Sequence, residues 1–256
     1  MKKELEKIGN SDWLEGMSSI SALIKGMSNN GNDRKIIRIL FDKSKIRSKS
    51  RELAFLKAKS NELEFCIELV SSEIINAQAI GNTHGGIIAE CTPRTLPCLT
   101  VENIVDKGVY FILEGVEDPY NFGYAVRSLY ASGVNGIILG ERNWMGAAGV
   151  VARSSAGASE LMNMYVSEPA SAIELFKAKG YKVVCAGIRD SESIFDTDLS
   201  YPLLVILGGE KRGISRNVLD MADKVVRIDY GGEFGGSLST SAAAAVFGFE
   251  ILRYNR

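Results

Sequence analysis

The segment Gly208-Gly209-Glu210-Lys211-Arg212-Gly213-Ile214-Ser215 directly follows the apolar run 203–207, so it reads as strand, glycine turn and helix start. A second turn, 231–236, follows apolar 225–228 and opens into Ser237-Leu238-Ser239-Thr240-Ser241 and an alanine-rich helix. Glycine lets backbone N–H groups approach a ligand with no Cβ in the way. In open α/β sheets, ligands sit where strand ends feed helix N-termini. Two such turns this close together predict one small-molecule pocket built from both. The frame G-x-x-x-x-G-x-S imitates a phosphate-binding loop, but Ile214 stands where that motif needs lysine. Glu210 would also set a carboxylate against a polyphosphate, so both residues argue against nucleoside triphosphate hydrolysis. For the first segment alone, a structural turn without a ligand stays open.

A second constellation runs from Glu114 to Arg127. Asn121 is placed to cap a helix whose buried face is Phe122, Ala125, Val126 and Leu129. Arg127 falls on the other side with Tyr124. Two readings fit it, a surface ion-pair partner or an anchor for an anionic substrate group. His84, in Asn82-Thr83-His84-Gly85-Gly86, is the only histidine. That excludes a histidine-based triad in the C-terminal half and a multi-histidine metal site. A structural or RNA-backbone contact at a turn is the role left to it.

These residues need elements to position them. The front half alternates helices over 14–27, 50–61 and 72–80 with strands over 36–41, 65–70 and 86–90. Pro93 and Pro97 then interrupt any periodicity, which predicts a linker from about 91 and a domain boundary near 104. From 105 onward a βα series begins, with strands over 109–113, 136–139, 162–166, 181–186, 203–207 and 225–228. Helices over 121–132, 147–155 and 170–179 separate them. Near-continuously apolar strands alternating with helices imply a parallel sheet covered on both faces. The expected fold is thus α/β, a C-terminal parallel-sheet domain preceded by a smaller N-terminal α/β domain. In the last helix, Leu238, Ala242, Ala245, Phe249 and Leu252 make one apolar stripe, suited to core or subunit interface, with Ser237 as its N-cap.

The chain has 256 residues, 46% hydrophobic and 24% charged, which is the composition of a globular protein. No apolar run reaches the roughly 18–20 residues of a membrane span. The N-terminus carries no signal-like apolar segment, which predicts a cytoplasmic protein. Cys66, Cys91, Cys98 and Cys185 have no C-x-x-C spacing and read as buried apolar thiols, with no metal expected. A net charge of −1 conceals a basic stretch: Arg34, Lys35, Arg38, Lys43, Lys45, Arg47, Lys49, Arg51, Lys57 and Lys59, opposed by Asp42 and Glu52. It is either a solvated face or a phosphate-backbone contact surface.

Taken in order, these segments resemble the SpoU–TrmH family of RNA ribose 2′-O-methyltransferases, of the knotted SPOUT class. Asp118-Pro119-Tyr120-Asn121-Phe122-Gly123 through Arg127 resembles its first motif. Gly208, Glu210, Gly213, Ile214 and Ser215 match its G-x-E-x-x-G-hydrophobic-S motif, and Ser237, Leu238 and Ala242 its third. Ser155-Ala156-Gly157-Ala158 is similar to a further family stretch. Residues 71–89, with His84-Gly85-Gly86, resemble the small ribosomal-protein-like substrate-binding domain found in many members. The resemblance implies a trefoil knot, S-adenosylmethionine as cofactor, structured rRNA or tRNA as partner, and a homodimer formed through the C-terminal domain. By the same resemblance, Leu207, Gly208, Gly209, Glu210, Gly213, Ile228, Tyr230, Ser237, Leu238 and Ser239 would hold the cofactor. Arg127 would anchor the target phosphate and stabilise developing alkoxide charge, with Asn121, Glu210, Ser237 and Ser239 organising the site. Arg34, Lys35, Lys43, Lys45, Arg47 and His84 would meet RNA. Two positions depart from the pattern: Ser239 stands where asparagine is usual, and Asp229 where proline follows Ile228. They leave a second reading, a catalytically weak or silent RNA-binding relative. A third is a small-molecule α/β enzyme that needs no nucleic acid.

Overall fold

The computed structural model describes residues 13–29, 32–140, 147–209 and 211–256. By contacts the chain divides into two units, one of Met1–Thr95 with Asn143–Leu161, the other of Leu96–Arg142 with Met162–Arg256.

In the second unit, β5 (Val109–Glu114), β6 (Gly136–Leu139), β7 (Met164–Val166), β8 (Lys182–Ala186), β9 (Glu192–Ser193), β10 (Leu203–Gly208) and β11 (Lys224–Arg227) form one sheet, in the order β7-β6-β5-β10-β8-β11-β9. Every pairing is parallel, as the alternation of apolar runs and helices predicts. The central strands Val109–Glu114 and Leu203–Gly208 are buried along nearly their whole length. That is the signature of strands covered on both faces. One face packs Tyr110, Ile112, Ile206 and Val183 against Phe176 and Val218. Helices Pro119–Ala131 and Thr240–Tyr254 pack along each other, and Gly248 permits the approach, since a Cβ there would lie 2.5 Å from Ser132 Oγ.

Both helix caps differ from expectation. Asp118 caps helix Pro119–Ala131, its carboxylate accepting from Asn121 N at 2.8 Å, with Pro119 in the first turn. Asn121 is therefore inside the helix. Helix Thr240–Tyr254 is capped by Ser239 and not Ser237, Ser239 Oγ accepting from Ala242 N at 3.2 Å. Its buried face is Thr240, Ala244, Phe247, Gly248 and Ile251. The stripe expected in the core or at a subunit interface is half-buried or exposed, with Phe249 at 49%, so it is not core. An alanine-rich helix is apolar on two faces, and the face with Ala244 and Gly248 permits the closer packing.

The first unit has a four-stranded sheet, β1 (Trp13–Glu15), β2 (Ile36–Asp42), β3 (Cys66–Val70) and β4 (Ile87–Cys91), in the order β1-β4-β2-β3. Strands β2 and β3 are parallel, and the other pairs antiparallel. Helices Gly16–Asn29, Ser50–Leu63 and Ser72–Gln78 complete it, with Leu14, Ile20, Leu23, Ile39, Phe41 and Leu56 in the core. The first stretch of this unit ends at Thr95. The unit is not one contiguous stretch, however. The 143–161 segment contributes helices Ala148–Ser154 and Ala158–Leu161, buries Ala152 in the first core and pairs Glu160 with Arg34. The four thiols are free, and Cys66 and Cys98 are exposed where burial was expected.

Candidate functional site

In the second unit, the ends of β8, β10 and β11 open into a cleft of about 860 Å³. The first glycine turn lines it, together with Ile228, Tyr230, Ser237 and Leu238 on either side of the second. The in-register pairing of Gly208 with Glu114 brings the first turn beside the β5 end. Gly209 N donates to the Glu114 carbonyl at 2.6 Å, and Ser215 N to Glu114 Oε2 at 3.2 Å. Lys211 Nζ reaches Glu117 at 2.6 Å. The glycines are required by approach. A Cβ on Gly209 would sit 2.1 Å from the Gly115 carbonyl oxygen, and one on Gly208 would sit 2.5 Å from the Gly213 carbonyl carbon. Gly213 adopts φ +63°, the left-handed region.

The second turn closes on itself. Tyr230 and Phe234 rings lie 5.8 Å apart, and the Tyr230 hydroxyl accepts from Leu238 N at 3.2 Å. Thr240 Oγ1 then donates to the Gly208 carbonyl, joining the end of the second turn to the start of the first.

Of the residues expected at the cofactor, Leu207, Gly208, Gly209, Gly213, Ile228, Tyr230, Ser237 and Leu238 line the cleft. Ser239 does not. Its hydroxyl is taken up by the helix cap and by Ser241 Oγ at 3.0 Å. Glu210 lies outside the described residues. Arg127 is exposed on helix Pro119–Ala131, and neither it nor Asn121 lines the cleft. A wall formed by Ala186, Gly187, Ile188, Arg189 and Asp190 escaped the sequence reading. Its signal was there, since Gly187 directly follows a strand, but one glycine is weak evidence. Leu207, Val226 and Phe247 supply an apolar floor. Nearby, burial and the Glu114 carboxylate push the Cys185 thiol up to about 12, which leaves it protonated and inert.

In the first unit the expected RNA contacts separate. Arg34 is buried at 3%, its guanidinium held by Glu160 Oε2 at 3.3 Å and the Thr92 carbonyl at 2.8 Å. It cannot face solvent, and it is corrected to a core ion pair. Arg38 is engaged by Glu68 and Glu90. Lys43 and Lys45 lie on a short helical turn beside Arg47, and all three are exposed. The His84 turn packs against them: Gly86 O accepts from Asp42 N at 2.8 Å, and a Cβ on Gly86 would meet Lys45 Cγ at 3.2 Å. His84 Nδ1 accepts from Gly86 N, which leaves Nε2 to carry any proton. Lys35 precedes the seven-residue strand that Lys43 follows, so at about 3.3 Å per residue the two ends are too far apart to share one phosphate.

The profile of the SpoU rRNA Methylase family matches residues 108–249. The chain is 31% identical over 196 residues to the 23S rRNA (guanosine-2'-O-)-methyltransferase RlmB of Shewanella oneidensis, covering 74% of this chain and 79% of that protein. Its fold is similar to the SpoU methyltransferase AviRb from Streptomyces viridochromogenes in complex with AdoMet, with TM-score 0.76 and 19% identity over 100% of this chain and 98% of that one. It is also similar to the AdoMet-bound rRNA methyltransferase from Sinorhizobium meliloti, with TM-score 0.75 and 20% identity over 94% and 87%. At these identities the structural likeness is one of fold.

Proposed function

This chain belongs to the SpoU rRNA methylase family, and from that premise we propose that it methylates a ribose 2′-oxygen in structured rRNA or tRNA. The cofactor is S-adenosylmethionine. The observation that carries the reading is the cleft lined by the first glycine turn and by Ile228, Tyr230, Ser237 and Leu238, which flank the second. Its volume lies within the range of small-molecule sites. Gly208 and Gly209 let the first turn pack against the backbone of Gly213 and Gly115 at the edge of the cleft, and Leu207, Val226 and Phe247 suit an aromatic base. The fit is good. Leu207, Gly208, Gly209, Gly213, Ile228, Tyr230, Ser237 and Leu238 would hold the cofactor, which supplies an electrophilic methyl group on a good leaving group.

The chain's own work is to position, and alignment of reactants can be worth about 7–11 kcal/mol in favourable cases. A guanidinium is a poor general base, so Arg127 serves as phosphate anchor and as stabiliser of charge developing on the ribose oxygen. The Glu114–Glu117 contacts with the first turn link the start of the Arg127 helix to the cleft. Lys43, Lys45, Arg47 and His84 make the first unit an RNA-binding unit. The half-buried Ala242, Ala245 and Leu252 with exposed Phe249 suit a homodimer contact through the second unit. The described residues hold no helix long and apolar enough to cross a membrane, and the reading places the protein in the cytoplasm with its RNA.

The test is transfer of labelled methyl groups to total RNA. The wild type transfers, while Arg127→Ala loses roughly 100-fold or more and still binds cofactor by calorimetry. A wild type that binds no S-adenosylmethionine overturns the reading. The engagement of Ser239 as a helix cap favours the second reading, a silent RNA-binding relative, and robust turnover on any RNA rules that out.

A further inference from the structure

The wall at 188–190 is a tight turn with little sheet to hold it, since the strand after it is only Glu192–Ser193. Asp190 sits at φ +49°, a left-handed conformation that residues bearing a Cβ rarely adopt unless their surroundings enforce it. Two contacts enforce it. Ser191 Oγ donates to the Ile188 carbonyl at 2.7 Å, and Arg227 Nη1 donates to the Ser191 carbonyl. Arg227 is in turn aimed by Asp229, whose Oδ1 accepts from its Nε at 2.7 Å. The Asp229 carboxylate also engages the side chain of Ser193. Ser193 Oγ already accepts from Phe195 N at 3.1 Å, so its own proton is available for the carboxylate. Asp229 lies between Ile228 and Tyr230, which also line the cleft.

We infer that Asp229 is a positioning residue, which latches the 188–193 wall to the second turn through Arg227 and Ser193 and so sets the width of the cofactor cleft. This rests on the reading of that cleft as the S-adenosylmethionine site. A proline at 229 would fix its own φ and hold neither Arg227 nor Ser193, whereas the carboxylate engages both. Pre-organising a ligand's walls improves affinity by reducing the ordering that binding must impose.

The test uses the full chain, with S-adenosylmethionine calorimetry, steady-state kinetics and amide hydrogen exchange. Asp229→Ala weakens cofactor binding about tenfold, as expected for loss of charge-assisted hydrogen bonds. The KM for cofactor rises by a similar factor while kcat at saturation stays within about twofold, because the latch orders the wall and touches no reacting atom. Amides 188–193 exchange faster, and Asp229→Asn, which keeps an acceptor oxygen, restores part of both effects. If Asp229→Ala does not fold, Ser193→Ala is read in the same way. Wild-type affinity in Asp229→Ala overturns the inference, as does weaker binding with unchanged exchange at 188–193. The exchange measurement needs no cofactor. A wild type that binds none therefore overturns the cofactor reading, and the latch is still judged by its amides.

Discussion

Thr240 Oγ1 donates a 2.8 Å hydrogen bond to the carbonyl oxygen of Gly208, so the first residue of the last helix is fastened to the last residue of β10. The bond joins the two glycine turns at their roots. Thr240→Val keeps the shape and removes the donor. It should lower unfolding stability by about 0.5–1.5 kcal/mol, the net worth of one hydrogen bond at a half-buried carbonyl, in a urea titration. Cofactor affinity should fall with it.

The two turns should differ in tolerance. Gly209→Ala forces a Cβ to within 2.1 Å of the Gly115 carbonyl oxygen, a backbone atom that cannot move aside. Gly232→Ala meets nothing within 4 Å. Thermal melting should show a large loss for the first and a change within about 0.5 kcal/mol for the second.

The basic stretch should split into structural and binding residues. Arg34→Met removes a charged partner of the buried Glu160, which keeps its bond from Asn32 Nδ2, and should cost about 3–5 kcal/mol of stability. RNA affinity per folded molecule should not change. Lys43→Ala and Lys45→Ala should leave stability nearly intact and weaken RNA binding. Each should reduce the slope of log affinity against log salt by roughly 1. Equal RNA affinity for wild type and the double variant would remove this turn from the interface.

Asp42 gives the first unit a defined acid limit. Burial disfavours its charge, but hydrogen bonds from the Ser44 and Ser72 hydroxyls and the Ser44 amide outweigh that and hold its carboxyl below the usual range. A depressed folded value means the stabilisation is complete above the unfolded value of about 3.9. It is lost as pH falls below that, through the folded value. Ser72→Ala should narrow this loss, as followed by circular dichroism between pH 5 and pH 2, a range set by that unfolded value of about 3.9.

Six of the second unit's strands and its turns are legible because each is decided locally: an apolar run, a glycine, a polar helix start. The same holds for the parallel sheet. Strand β9, only Glu192–Ser193, has no apolar run to mark it. What else escapes is decided at a distance. Arg34 reads as one cation among many because its partner Glu160 lies 126 positions away. Ser237 and Ser239 are equally good caps in isolation, and the bond from Thr240 to Gly208 selects the second. Asn121 loses its place as cap to Asp118 because Pro119 fits the first turn. The 186–190 wall is visible only once β8 is known to lie beside β10.

The interleaving of the two units governs the order in which the protein can be made. The first unit lacks Ala152 in its core and the Glu160 counter-charge for Arg34 until residue 160 has emerged from the ribosome. At the usual pace of synthesis that is a delay on the order of several seconds after Thr95. Throughout it a cation meant for the interior stands unpaired. The nascent N-terminal half is thus a client in waiting, and a fragment ending at Thr95 should unfold at lower urea than the same unit does in the full chain.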